Sequence, residues 1–254
     1  MTRPRGASLL AMAALAILAL LATGCAVERV PSDTMPLRLS ADLSFTCGDM
    51  TFPAATLANP LGAEGADTPA AEAFRVALRG RDARLEDMPK TAYRILFATD
   101  ARVVFAASVP TESGLATITI LRNADRWAMA GVGTCRPLLS LPGLNAATWR
   151  LRVDAPLPGL DATSFDALVT ESACTSGRAA DGRLLAPAIV REPTRLLVVF
   201  AAVPPPPAFG NAESCPGNPP TTYRVELGAP LGNRELLDGG VFPPRGVENP
   251  SCCG

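Results

Sequence analysis

Residues 93–132 read YRILFATDARVVFAASVPTESGLATITILRNADRWAMAGV, and this stretch sets the fold class of the N-terminal half. Tyr93 to Ala98 and Val103 to Ala107 are strand-forming runs separated by Thr99-Asp100-Ala101-Arg102, which suits a hairpin connection. Leu115 to Leu121 is rich in Ile and Thr, and Asn123-Ala124-Asp125 can turn it into Trp127 to Val132. Short links favour antiparallel neighbours, so the expected arrangement is a meander. Upstream, Thr68-Pro69 supplies a hydroxyl cap and a proline at the first helical position. Ala71, Phe74 and Leu78 follow at spacings of three and four, and Gly80 is the stop. Residues 40–137 are therefore expected to form an α+β domain, with the helix on one face of the meander.

Beyond Arg136-Pro137 the pattern changes across a Pro/Gly/Leu stretch that reaches Asn145. Trp149, Leu151 and Val153 alternate with Arg150, Arg152 and Asp154, which puts apolar and charged sets on opposite faces of a strand. Tyr223, Val225 and Leu227 alternate with Arg224 and Glu226 in the same way. Leu196 to Val203 is continuously apolar, as for a strand buried on both sides. Phe165 to Val169 and Leu184 to Val190 are further strand candidates, the latter demoted towards an edge by Pro187. Residues 146–250 are expected to form an all-β, sandwich-like domain.

The N-terminus has a different character. Arg3 and Arg5 precede Leu9 to Ala22, an uncharged apolar run of 14 residues. That fits a signal-peptide core and falls short of the roughly 18–20 residues needed to span a bilayer. Leu21-Ala22-Thr23-Gly24-Cys25 follows at once and looks like a bacterial lipobox. On that resemblance residues 1–24 are a cleaved signal, Cys25 is lipidated, and 25–39 is a tether. Multiple acyl chains on one cysteine give stable membrane attachment. Fourteen extended residues reach at most roughly 45–50 Å, which would keep the folded part near the membrane.

Six cysteines besides Cys25 remain: Cys47, Cys135, Cys174, Cys215, Cys252 and Cys253. The economical pairing is one bridge per half, Cys47–Cys135 and Cys174–Cys215, each contributing roughly 4–5 kcal/mol at best by loop closure. Cys252 and Cys253 are adjacent, and Cα atoms about 3.8 Å apart make a bridge between them strained. They read as a terminal tail whose cysteines are free or pair elsewhere.

Composition excludes whole classes of chemistry. The 254 residues contain no histidine, so Ser-His-Asp, Cys-His and His-metal arrangements are impossible in this chain. A net charge of −1 leaves no global basic field for a nucleic acid. Lys90 is the only lysine, and no Ser-x-x-Lys precedes it. Arg79, Arg81 and Arg84 are interleaved with Asp82, Glu86 and Asp87, as in a solvated mixed-charge loop. Gly131-Val132-Gly133 reads as turn geometry, because no helix follows at dinucleotide-binding spacing. No catalytic, metal-binding or cofactor-binding residue is assigned.

Three strings in the last third are more particular: Glu171 to Arg178, Cys215 to Pro219, and Leu227 to Gly240. Together they resemble the C-terminal region of a group of uncharacterised actinobacterial-type lipoproteins. The resemblance implies a location at the cell envelope and carries no activity. Within the third string Gly228, Gly232 and Gly239-Gly240 read as turns, and Arg234 and Asp238, four apart, could form a structural ion pair or line a ligand site. The expected function is a non-catalytic binding or accessory module, lipid-anchored on the extracytoplasmic face of the cell membrane. Its ligand would be an envelope protein, a glycan or a lipid. The alternative is a carrier for an apolar or glycolipid-like ligand, which needs a large apolar cavity between helix and sheet. A carboxylate-dependent hydrolase stands third.

Overall fold

The structure is a computed structural model that describes residues 36–40, 42–109, 114–152, 156–206 and 215–247. The expected signal 1–24, Cys25, the tether to residue 35, Cys252 and Cys253 lie outside the described residues. Among the described residues the fold is mostly β, with one α-helix packed against antiparallel sheet. Its elements are β1 (Ser44–Cys47), β2 (Met50–Pro53), α1 (Pro69–Arg79), β3 (Arg94–Ala98), β4 (Arg102–Ser108), β5 (Leu115–Asn123) and β6 (Arg126–Cys135). They continue with β7 (Leu138–Ser140), β8 (Asn145–Leu151), β9 (Ser164–Glu171), β10 (Ala188–Arg191), β11 (Arg195–Ala202), β12 (Thr221–Glu226), β13 (Glu235–Asp238) and β14 (Arg245–Gly246).

The meander forms as expected, in the order β3-β4-β5-β6, antiparallel throughout. Gly131-Val132-Gly133 lies inside β6 and is no turn; the pairing of β5 with β6 slips at Thr119/Ile120, leaving Ala130 as the extra residue of a bulge. The helix starts where its cap predicts: the Thr68 hydroxyl accepts the Ala71 N–H at 3.1 Å. It ends as Gly80 donates its N–H to the Val76 and Ala77 carbonyls.

Strand β4 explains its own composition, because both of its faces are covered. Val103, Phe105 and Ala107 point to α1 and pack with Phe74, Tyr93, Ile118 and Ile120. Phe74 stacks on Phe105 with ring centroids 4.2 Å apart and meets Tyr93 edge-on at 4.9 Å. Val104 and Ala106 point the other way, into a second cluster with Phe45, Phe52, Leu139, Val199 and Ala201. Burying side chains of this size stabilises by roughly 1.5–3 kcal/mol each.

The second cluster draws on residues from both sides of the stretch 137–146, and within that stretch Leu138–Ser140 is β7, paired with β1. Leu37, towards the end of the expected tether, is buried in the same cluster and donates its N–H to the Ala186 carbonyl at 2.9 Å.

The C-terminal half carries a mixed seven-stranded sheet, β12-β9-β8-β11-β13-β14, with β10 also on β11. Strand β11 changes partners along its length. Leu196 to Val199 pair with β10, and Arg195 to Val198 with β13 in parallel, whereas Phe200 to Ala202 pair with β8. Trp149 is buried here, stacked on Phe165 at 5.3 Å, with its indole N–H donated to the Val198 carbonyl at 2.9 Å.

Candidate functional site: the groove beside the helix

Helix α1 is amphipathic, and its two apolar edges do different work. Ala70, Ala71 and Phe74 are buried against the sheet. Ala73, Val76 and Ala77 lie further round, and Val76 keeps 55% of its surface exposed. Opposite them β6 presents Trp127 and Met129, which alternate with Ala128 as strand geometry requires. Between helix and strand runs an open groove of about 710 Å³, within the roughly 300–1,000 Å³ range of ligand sites.

The charges around this groove divide into two sets. Glu72 pairs with Arg75 at 2.6 Å and with Arg79 at 3.6 Å, and the Arg75 hydrogen bond lowers its pKa. Asp82 pairs with Arg84 at 2.6 Å and is lowered by that hydrogen bond in turn. Asp125 faces Arg122 at 3.8 Å. Arg81 and Arg126 also line the groove, and among the described residues neither has a carboxylate within 4.0 Å. The mixed-charge loop expected beyond the helix is therefore partly internally paired, and it leaves positive charge at the groove.

The sequence-assigned cysteines serve the scaffold. Cys47–Cys135 ties the end of β1 to the end of β6, with Cα atoms 5.8 Å apart. Cys174–Cys215 has Cα atoms 5.2 Å apart and joins two of the singled-out strings. These strings dock as one unit. Asn218 donates through Nδ2 to the Glu171 and Ala173 carbonyls at 2.9 and 2.6 Å, and its Oδ1 lies 2.6 Å from the Thr175 hydroxyl. The buried Glu171 carboxylate holds Arg183 at 2.5 Å and accepts from Asn145. Gly177, at φ 72°, leaves room for Pro216, whose Cγ would lie 3.1 Å from a Cβ at that position.

The third string holds a buried acid. Asp238 has no exposed surface; it accepts from the Gly240 N–H at 3.0 Å, the Trp149 N–H at 3.3 Å and Arg245 at 3.1 Å. Burial raises its pKa from 3.8 to about 6, against the pull of the two N–H donors and Arg245. Its partner is Arg245 and not Arg234, which instead donates to the Leu231 and Pro230 carbonyls. Arg234 lines a smaller groove of about 390 Å³ with Leu151, Leu157, Leu231 and Leu236.

None of the groove residues on α1 and β6 was assigned a role from sequence. The available signal was Val76, an apolar side chain out of phase with Ala71, Phe74 and Leu78. The two disulfides are features of proteins that fold in an oxidising, extracytoplasmic compartment. Among the described residues no helix is long and apolar enough to cross a membrane. No family model, curated protein or solved structure matches this chain.

Proposed function

We propose that the chain is a lipoprotein, anchored through Cys25 on the extracytoplasmic face of the cell membrane, that acts as a non-catalytic binding module of the cell envelope. The groove between α1 and β6 carries this reading. An apolar floor of Val76, Trp127 and Met129 with arginines at its margins suits recognition, and the carboxylates that line it, Glu72, Asp82 and Asp125, each lie within 4.0 Å of an arginine. The signal-like N-terminus, the two disulfides and the resemblance to actinobacterial-type lipoproteins agree with export and anchoring. The sandwich-like reading of the C-terminal half belongs to the same proposal, supported by the partner change along β11, a way for a sheet to turn a corner. Two measurements test it. Cys25→Ser should move the protein from membrane to soluble fraction, and it should lose its acyl mass. Molecules that co-purify with the native protein, identified by mass spectrometry, should be lost on Val76→Glu; a bound species indifferent to that change would refute the groove.

The carrier reading comes second. It is favoured by the position of the groove, between helix and sheet, where an apolar ligand would contact Trp127 and Met129. A hydrolase has less support: Asp238, the acid with the raised pKa, has no exposed surface and lines neither groove.

A further inference from the structure

Strand β6 is one of the two outermost strands of the four-stranded sheet. It pairs with β5 along one side, and among the described residues no backbone hydrogen bond reaches its other side. Exposed edges are usually blunted by lysine, proline or inward charges. Over ten residues β6 has no proline and one charge, Arg126, and its bulge at Ala130 lies beyond the part that borders the groove, Arg126 to Met129. A free main-chain edge thus runs along one wall of an apolar groove whose other wall is a helix.

We propose that an extended segment of a partner protein, with alternating apolar and acidic residues, adds to β6 as a fifth strand. This rests on the binding-module reading and specifies its ligand. The new strand would lie about 4.8 Å from β6 and pair its backbone with the unpaired N–H and C=O groups. Every second side chain would then point to the face of Trp127 and Met129 and fill the groove against Val76. The acidic residues answer to Arg81 and Arg126, the arginines at the groove that among the described residues lack a carboxylate within 4.0 Å, while Glu72, Asp82 and Asp125 are already engaged with other arginines. An acyl chain fits less well, because lying along β6 it would strip water from backbone groups without replacing their hydrogen bonds. A second copy pairing edge to edge also fits less well, since β6 contains no acidic side chain to offer Arg126.

The test uses the full chain carrying Cys25→Ser and a fluorescent octapeptide of alternating valine and glutamate. Binding is read by anisotropy and by Trp127 emission, assigned through Trp127→Phe. Saturable binding is expected, weakened about tenfold or more by Arg81→Ala with Arg126→Ala, or by Val76→Glu, in variants with unchanged circular dichroism. Methylating the backbone nitrogens of one alternate set of peptide residues should abolish binding, whereas methylating the other set should be tolerated. Equal binding by both methylated peptides, or by a valine–lysine octapeptide, overturns strand addition. A dimer in sedimentation that Val76→Glu dissolves overturns it in favour of a second copy. If phosphatidylglycerol vesicles shift Trp127 emission and the peptide does not, strand addition fails and the binding module stands. If neither does, both fail.

Discussion

Arg245 on β14 reaches the carboxylate of Asp238 on β13 at 3.1 Å, directly opposite it in the strand register, and that carboxylate has no exposed surface. Because burial lifts Asp238 from 3.8 to about 6, the native state holds its proton more tightly than the unfolded chain does. Its contribution to stability is therefore full below about pH 4 and is lost as pH rises through 6, on the order of 3 kcal/mol across that window. Urea midpoints of the disulfide-intact protein between pH 4 and 7 should show the decline, and Asp238→Asn should flatten it. A parent chain with a level profile would contradict a raised Asp238.

Arg245→Met should be more damaging at pH 7.5 than at pH 4.5. It leaves an ionised buried acid without its counter-charge, a loss that costs about 3–5 kcal/mol, whereas the protonated acid needs no cation. Denaturation of parent and variant at the two values checks this; equal losses would mean that Arg245 acts by packing alone.

Phe74 and Val76 sit two residues apart on α1 and should respond in opposite ways. Phe74→Ala removes a fully buried ring stacked on Phe105 and should cost about 3–5 kcal/mol. Val76→Ala, at an exposed position, should change stability by less than about 0.5 kcal/mol. Chemical unfolding of the two variants separates a core-facing edge from a solvent-facing one.

Asn218→Ala should cost about 1–3 kcal/mol, since it leaves the Glu171 and Ala173 carbonyls without a donor. Hydrogen exchange should report the loss locally, in the residues after β9 and around Cys174, with α1 unaffected. Faster exchange spread evenly over the chain would argue against a local clamp.

Parts of this architecture are legible in the sequence for identifiable reasons. Thr68, Pro69 and Gly80 mark the helix ends by local chemistry, and the four meander strands carry apolar runs that lie close together in sequence. Strands β1, β2, β7, β13 and β14 have two to four residues each, too few to establish a period. Leu236 and Leu237 become strand by lying parallel to Leu196 and Leu197, about forty residues earlier. The spacing of Arg234 and Asp238 suggests a pair only on a helix; along a strand, residues four apart are separated by about 13 Å. The hairpin register selects Arg245 instead. Gly239 and Gly240 form a turn after β13, as the sequence suggests, and crowding adds a second demand that it does not show: a Cβ on Gly239 would lie 3.0 Å from Leu197 and Val199, and one on Gly240 would lie 3.1 Å from the Ala147 carbonyl. The groove is not legible in the sequence because it depends on where a helix edge falls relative to a strand edge, which no local pattern records.

The entry of the chain at Leu37 has a mechanical consequence. If Cys25 is the anchor, tension between membrane and envelope enters the fold through the hydrogen bond from Leu37 to Ala186 and the short parallel bridge beside it. From there it passes to β10 and β11, the strands that follow Ala186. Leu37 also packs in the cluster that holds Val104, Ala106 and Cys135, whereas the buried residues of helix α1 belong to the other cluster. A pull on the tether would thus be borne first on the side of the meander that faces away from α1.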